Sequence, residues 1–189
     1  MIVMYKGRRG CGKTLTMVKD ALNFYQKGWT IYSNFNIEIP YKKLTNDDLI
    51  NLVSNDKIRD CVLLVDEIQL LIDSRRSQRK ENLNFSYFIQ QIRKKGIILL
   101  CTTQFTKTTD VRLREHVDIV VKPKIIPQYP VVECEYIDIT AEEDDILGLP
   151  VTKIVIYNPL PLFELYDTEE IKNPVETKKE KVKTWLIKT

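Results

Sequence analysis

Residues Gly7-Arg8-Arg9-Gly10-Cys11-Gly12-Lys13-Thr14 form a complete G-x-x-x-x-G-K-[ST] loop directly behind the apolar run Ile2-Val3-Met4-Tyr5. Few folds accommodate that junction. The glycines let the backbone curl until several N–H groups face one anion, and the helix that follows adds the positive end of its dipole. The apolar run reads as a buried strand. Behind the loop, Leu15, Val18, Leu22 and Tyr25 recur at helical spacing until Gly28 supplies a stop. Strand, loop and helix in that order are the context in which this motif binds ATP, with Gly7, Arg8, Arg9, Gly10, Cys11, Gly12, Lys13, Thr14 and Leu15 as the contacting residues. Lys13 is expected to reach the β- and γ-phosphates and Thr14 to ligate Mg²⁺.

The rest of the chain alternates between strand-like and helix-like patterns. Trp29-Thr30-Ile31-Tyr32-Ser33 is β-branched and aromatic and ends at Asn34. Thr45 with Asp48 resembles a capping box that opens a short helix through Leu49, Leu52 and Val53. Cys61 to Val65 is a continuous apolar run suited to a parallel strand covered on both faces. Phe85, Phe88, Ile89 and Ile92 mark an amphipathic helix that stops at Gly96, and Ile97–Cys101 and Val117–Val121 read as two more strands. This alternation predicts an α/β P-loop NTPase with a mainly parallel sheet flanked by helices, its ligand at the carboxyl ends of the strands. Beyond Pro123, Val131–Ile139 and Val151–Tyr157 read as strands without intervening helices, hence an antiparallel C-terminal extension on one sheet edge. The expected organisation is an ATPase domain over residues 1–170, with a core at 1–123 and the extension at 124–170. A charged tail, 171–189, contains Lys178-Lys179-Glu180-Lys181.

Composition narrows the class further. The 189 residues suit one domain, and a formal net charge of +3 is too slight to argue for nucleic acid unless basic residues cluster locally. The four cysteines lack CxxC spacing and read as reduced thiols of an intracellular protein. No stretch approaches the roughly 18 apolar residues of a membrane span, so the expectation is a soluble, cytoplasmic chain with no transmembrane segment of its own. His116, the single histidine, has no partner spacing that suggests a metal site.

The chemistry beyond the loop begins at Asp66-Glu67. In isolation this pair is equally a strand reaching the surface. Placed about fifty residues after the phosphate loop on a second buried strand, Asp66 suits a Mg²⁺ contact and Glu67 a water-polarising base. Glu67 also favours hydrolysis over phosphoryl transfer. Thr102-Thr103-Gln104 ends the next buried strand, where Gln104 suits a γ-phosphate sensor or an ordinary polar terminus. An arginine finger would complete the set, and the candidates are Arg75, Arg76, Arg79, Arg93, Arg112 and Arg114, each otherwise a solvated surface charge. The basic loop at 75–80 admits a second use as a nucleic-acid contact, and Trp185 among lysines either stacks on a base or docks.

With these residues in view, the chain resembles the zonular occludens toxin-like ATPases, the family that includes the assembly ATPases of filamentous phages and is related to the FtsK/HerA group of DNA pumps. The resemblance rests on Gly7 to Thr14, Tyr32-Ser33-Asn34, Leu64-Val65-Asp66-Glu67-Ile68-Gln69, Arg93-Lys94-Lys95-Gly96 before a strand, Thr103-Gln104, and Leu165-Tyr166-Asp167-Thr168. It implies an additional-strand ATPase core with strand order 5-1-4-3-2, a homo-oligomeric ring such as a hexamer, and work on viral DNA during packaging, assembly or extrusion. Filamentous-phage members usually continue into a transmembrane helix, which this sequence lacks. A packaging or assembly ATPase of a virus or mobile element, working in the host cytoplasm with a coat or membrane partner protein, is the expectation. Two rivals stand beside it: an assembly factor that uses ATP as a switch on protein partners, and a small-molecule kinase.

Overall fold

The structure, a computed structural model, describes residues 1–50, 52, 56–69, 81–104, 111–126, 128–140 and 151–166. Its elements in chain order are β1 (Ile2–Lys6), α1 (Lys13–Gln26), β2 (Thr30–Ser33), β3 (Lys42–Lys43), α2 (Asn46–Ile50), β4 (Cys61–Val65), α3 (Glu81–Lys94), β5 (Ile98–Thr103), α4 (Val111–Arg114), β6 (Ile119–Ile126), β7 (Val131–Asp138) and β8 (Val151–Tyr157). A 3-10 turn, Leu160–Leu165, follows β8.

Eight strands form one sheet in the order β3-β2-β4-β5-β1-β6-β7-β8. The first six run parallel, β7 pairs antiparallel with β6, and β8 pairs antiparallel with β7. The five core strands, taken from β6 to β2, stand in the order 5-1-4-3-2 that the resemblance implies, and β7 and β8 form the antiparallel extension. Central strands are apolar on both faces because helices cover both: β4 is buried at every position. Ile2, Met4, Leu63, Leu99 and Cys101 face one core with Phe88, Ile89 and Ile92 of α3. Val3, Tyr5, Val62, Leu64 and Leu100 face the other with Leu15, Met17, Val18 and Ala21 of α1. Each large apolar side chain buried this way contributes about 1.5–3 kcal/mol.

Val132, Cys134 and Leu162 belong to the α1-side core, so the extension shares a hydrophobic interior with the phosphate-loop helix. A buried polar cluster reinforces the junction. Asp20 of α1 accepts hydrogen bonds from Tyr5 Oη (2.7 Å) and Tyr136 Oη (2.8 Å), and Thr16 Oγ1 lies 2.9 Å from Tyr157 Oη. Burial pushes the hydroxyls of Tyr5, Tyr136 and Tyr157 above the ordinary tyrosine range, and the Asp20 carboxylate adds to each shift.

Several boundaries differ from the sequence expectation. Thr45 and Asp48 do exchange capping bonds, N–H to Oδ2 at 3.0 Å and N–H to Oγ1 at 3.1 Å, at the start of α2. β6 continues through Pro123 to Ile126, paired with β7 along its whole length, whereas its pairing with β1 ends at Val121. Past that point one side of β6 has no ladder partner among the described residues, and a proline there is tolerated. β5 extends to Thr103 because Thr102 and Thr103, although polar, are fully buried. The expected basic loop at 75–80 and the charged tail at 171–189 lie outside the described residues.

Candidate nucleotide site

The loop between β1 and α1 takes a shape that needs its glycines. Gly7 has φ +153°, and a Cβ there would meet Cys11 Sγ at 2.6 Å; Gly12, at φ +94°, is the left-handed N-cap of α1. α1 therefore starts at Lys13 with its amide N–H groups opening onto the loop. Lys13 is 9% exposed, and its Nζ donates to Arg8 O at 3.0 Å, so its ammonium lies folded across the loop.

Asp66 and Glu67 follow β4 at its carboxyl end, and β4 lies between β2 and β5, with β1 on the far side of β5. Thr14 Oγ1 donates to Asp66 Oδ1 at 3.2 Å, and Thr102 Oγ1 donates to the same oxygen. Asn34, just past β2, brackets the Asp66 backbone: its Oδ1 accepts the Asp66 N–H at 2.9 Å and its Nδ2 donates to Asp66 O at 3.3 Å. Glu67 takes φ +54°, the left-handed region that a non-glycine residue adopts at a cost. Its N–H donates to Thr102 Oγ1 at 2.8 Å, which holds that conformation, and its Oε1 accepts from Gln104 Nε2 at 2.8 Å. The structure thus brings together Lys13, Thr14, Asp66, Glu67 and Gln104.

The late Leu165-Tyr166 comes to the same neighbourhood. Glu38 N–H donates to Leu165 O at 2.8 Å and Tyr166 bridges to Ile37. Burial raises the Tyr166 hydroxyl above the usual tyrosine range, and the negative charge of Asp66 adds to the shift. Asp167 and Thr168 lie outside the described residues.

The donor set suits a hard divalent cation. Among the described residues no group of three or more His, Cys, Asp or Glu side chains could hold a metal by itself. Thr14 and Asp66 instead present two adjacent oxygens, the kind of partial shell that Mg²⁺ completes with phosphate oxygens and water. All four cysteines are unbridged.

The arginines are dispersed. Arg75, Arg76 and Arg79 lie outside the described residues. Arg93 Nη2 bonds Asp118 Oδ1 at 2.9 Å, and Asp118 also accepts the Ile2 N–H at 2.5 Å, at the amino end of the sheet and away from the phosphate loop. Arg112 and Arg114 stand in α4, with Arg114 exposed. Sequence reasoning missed Thr102, Asn34 as a support of Asp66, and the Asp20 cluster. Register arithmetic could have found the first, because Val65 pairs with Cys101 and Asp66 therefore falls beside Thr102.

Comparison with known proteins agrees with this fold. The family model described as "ATPase family associated with various cellular activities (AAA)" matches residues 3–124. No curated protein matches the sequence. Among solved structures, the N-terminal domain of zonular occludens toxin from Neisseria meningitidis is similar, with a TM-score of 0.62 at 21% identity over 88% of this chain and 98% of that one. The genome packaging NTPase B204 from Sulfolobus turreted icosahedral virus 2, in complex with AMPPCP, has a TM-score of 0.54 at 12% identity over 81% of this chain and 95% of its own. The ATPase domain of G40P has a TM-score of 0.53 at 10% identity, covering 89% and 84% respectively. At these identities the likeness establishes the fold. No helix among the described residues is long and apolar enough to cross a membrane.

Proposed function

This chain belongs to the ATPase family associated with various cellular activities, and from that premise we propose that it is a Mg²⁺-dependent, oligomeric ATPase of a virus or mobile element that couples hydrolysis to packaging or moving DNA. The observation that carries the reading is the convergence of Lys13, Thr14, Asp66, Glu67 and Gln104 at the carboxyl ends of three adjacent strands.

In this reading the loop amides from Gly7 to Leu15 bind the phosphates, and Lys13 exchanges its bond to Arg8 O for the β- and γ-phosphate oxygens. Thr14 and Asp66 would hold Mg²⁺, which would supply charge neutralisation at the phosphoryl group. Glu67 Oε1 orients the attacking water and takes its proton, and Gln104 turns from Glu67 to the γ-phosphate. Thr102 keeps the metal contact and the base in fixed relation, since one hydroxyl touches both Asp66 and the Glu67 backbone. A neighbouring copy in a ring would supply the arginine finger.

The fold likeness to a viral genome-packaging NTPase supports DNA as the polymer acted upon. A different observation favours a second reading, in which ATP switches contacts with coat or membrane partner proteins: Ile154 and Ile156 on the edge strand β8 are 64% and 60% exposed. ATP hydrolysis measured with single-stranded DNA, with double-stranded DNA and with neither, at low and moderate salt, separates the two. Salt-sensitive stimulation by DNA is expected for the motor; hydrolysis indifferent to DNA would replace it with the protein-directed switch.

A further inference from the structure

The groups that face the reacting phosphate all stand on one side of the phosphate loop. Asp66 and Glu67 follow β4, Gln104 follows β5, and both strands lie on the same side of β1. A triphosphate whose γ-phosphate meets these groups must direct its nucleoside the other way, toward β6 and β7.

On that side the β6–β7 hairpin closes over the loop. A Cβ on Gly12 would lie 3.4 Å from Ile125 Cγ1 and 3.7 Å from Val132 Cγ1, and these two residues are paired across the hairpin. Ile125, although apolar, remains 38% exposed beside the loop. The turn beyond it presents Tyr129, whose side chain is 65% exposed. The Tyr129 N–H donates to Ile126 O at 3.1 Å, and its carbonyl accepts the Val131 N–H at 2.7 Å. An apolar side chain thus lies against the loop, and an aromatic ring stands exposed in the turn that follows it in the chain.

We propose that Ile125 and Tyr129 form the nucleobase platform of this ATPase, with Ile125 packing under the nucleoside and Tyr129 stacking on the purine. Stacking on an aromatic face explains why a large ring is left in water at this turn. The proposal rests on the reading of Gly7–Thr14 as the phosphate site.

Binding of ATP and of inorganic tripolyphosphate to the wild type, Tyr129→Ala, Tyr129→Trp, Ile125→Ser and Lys13→Ala tests it. Tyr129→Ala should lower ATP affinity about tenfold, within the range that loss of one stacked base produces, and leave tripolyphosphate affinity unchanged. Ile125→Ser should weaken ATP selectively in the same way. Tyr129→Trp should retain ATP affinity, and its added fluorescence should change with ATP and stay constant with tripolyphosphate. Wild-type ATP affinity in Tyr129→Ala, or equal loss of both ligands, would overturn the platform. A wild type that binds neither ligand, with Lys13→Ala indistinguishable from it, would overturn the phosphate site itself and is a different result from either.

Discussion

Gln104 Nε2 donates to Glu67 Oε1 across 2.8 Å, so the residue proposed to sense the γ-phosphate holds the residue proposed to activate water. A Gln104 drawn to the γ-phosphate, as proposed, would release Glu67 Oε1 as the substrate seats. Replacing Gln104 by Ala should leave ATP affinity within about threefold and lower kcat on the order of a hundredfold, the scale for loss of one aligned donor. Steady-state kinetics with a parallel binding titration checks this, and an unchanged kcat would remove the sensor role.

Thr102 carries a sharper expectation because its hydroxyl serves two partners. Thr102→Val keeps the shape but strands the Glu67 N–H and removes a donor from Asp66. A loss of about 1–3 kcal/mol in stability follows from the unsatisfied amide. Relaxation of the left-handed Glu67 backbone should cost on the order of tenfold to a hundredfold in kcat with little change in ATP affinity. Thr102→Ser, which restores the hydroxyl, should recover most of both. Equal kcat in the valine and serine variants would contradict the positioning role.

Much of this site is legible in the sequence, for a physical reason. The phosphate loop, the carboxylates after β4 and the polar residues after β5 are local patterns attached to apolar runs, and parallel topology brings those strand ends together. Thr102 was legible only through strand register, and the Asp20 cluster not at all, since Tyr136 stands 116 residues away in sequence from Asp20. β3, two exposed lysines at the edge of the sheet, carries no periodicity from which a strand could be read.

The Asp20 cluster joins α1 to the extension, and its removal should uncouple them. Asp20→Ala leaves the hydroxyl of Tyr5, which is wholly buried, and that of Tyr136 without their acceptor. At about 1–3 kcal/mol for each stranded group, a destabilisation of roughly 2–6 kcal/mol is expected in urea unfolding. Asp20→Asn, which keeps an acceptor oxygen, should lose less than half of that. A variant as stable as the wild type would show that water replaces the carboxylate.

Stability should also fall in alkali. Burial pushes the Cys61 thiol up to about 11 and the Cys101 thiol up to about 12. In the unfolded chain these thiols ionise near pH 8.5, so above that pH the unfolded state gives up protons that the native state retains. The stability they contribute is intact below about pH 8 and declines as pH rises toward 11, by about 1.4 kcal/mol per pH unit for each thiol. Urea midpoints in reductant at pH 8.0 and near pH 10.5 measure it. Equal midpoints would mean that both sulfurs are solvated in the native chain.

Lys13, Thr14, Asp66, Glu67 and Gln104 are proposed to form one Mg²⁺-dependent hydrolytic centre. Its most direct test is turnover and ATP binding by the wild type and Glu67→Gln, each with Mg²⁺ and with EDTA. Mg²⁺-dependent hydrolysis is expected of the wild type, and Glu67→Gln should bind ATP with near wild-type affinity while its turnover falls at least about a hundredfold. Hydrolysis that continues unchanged in Glu67→Gln would contradict it.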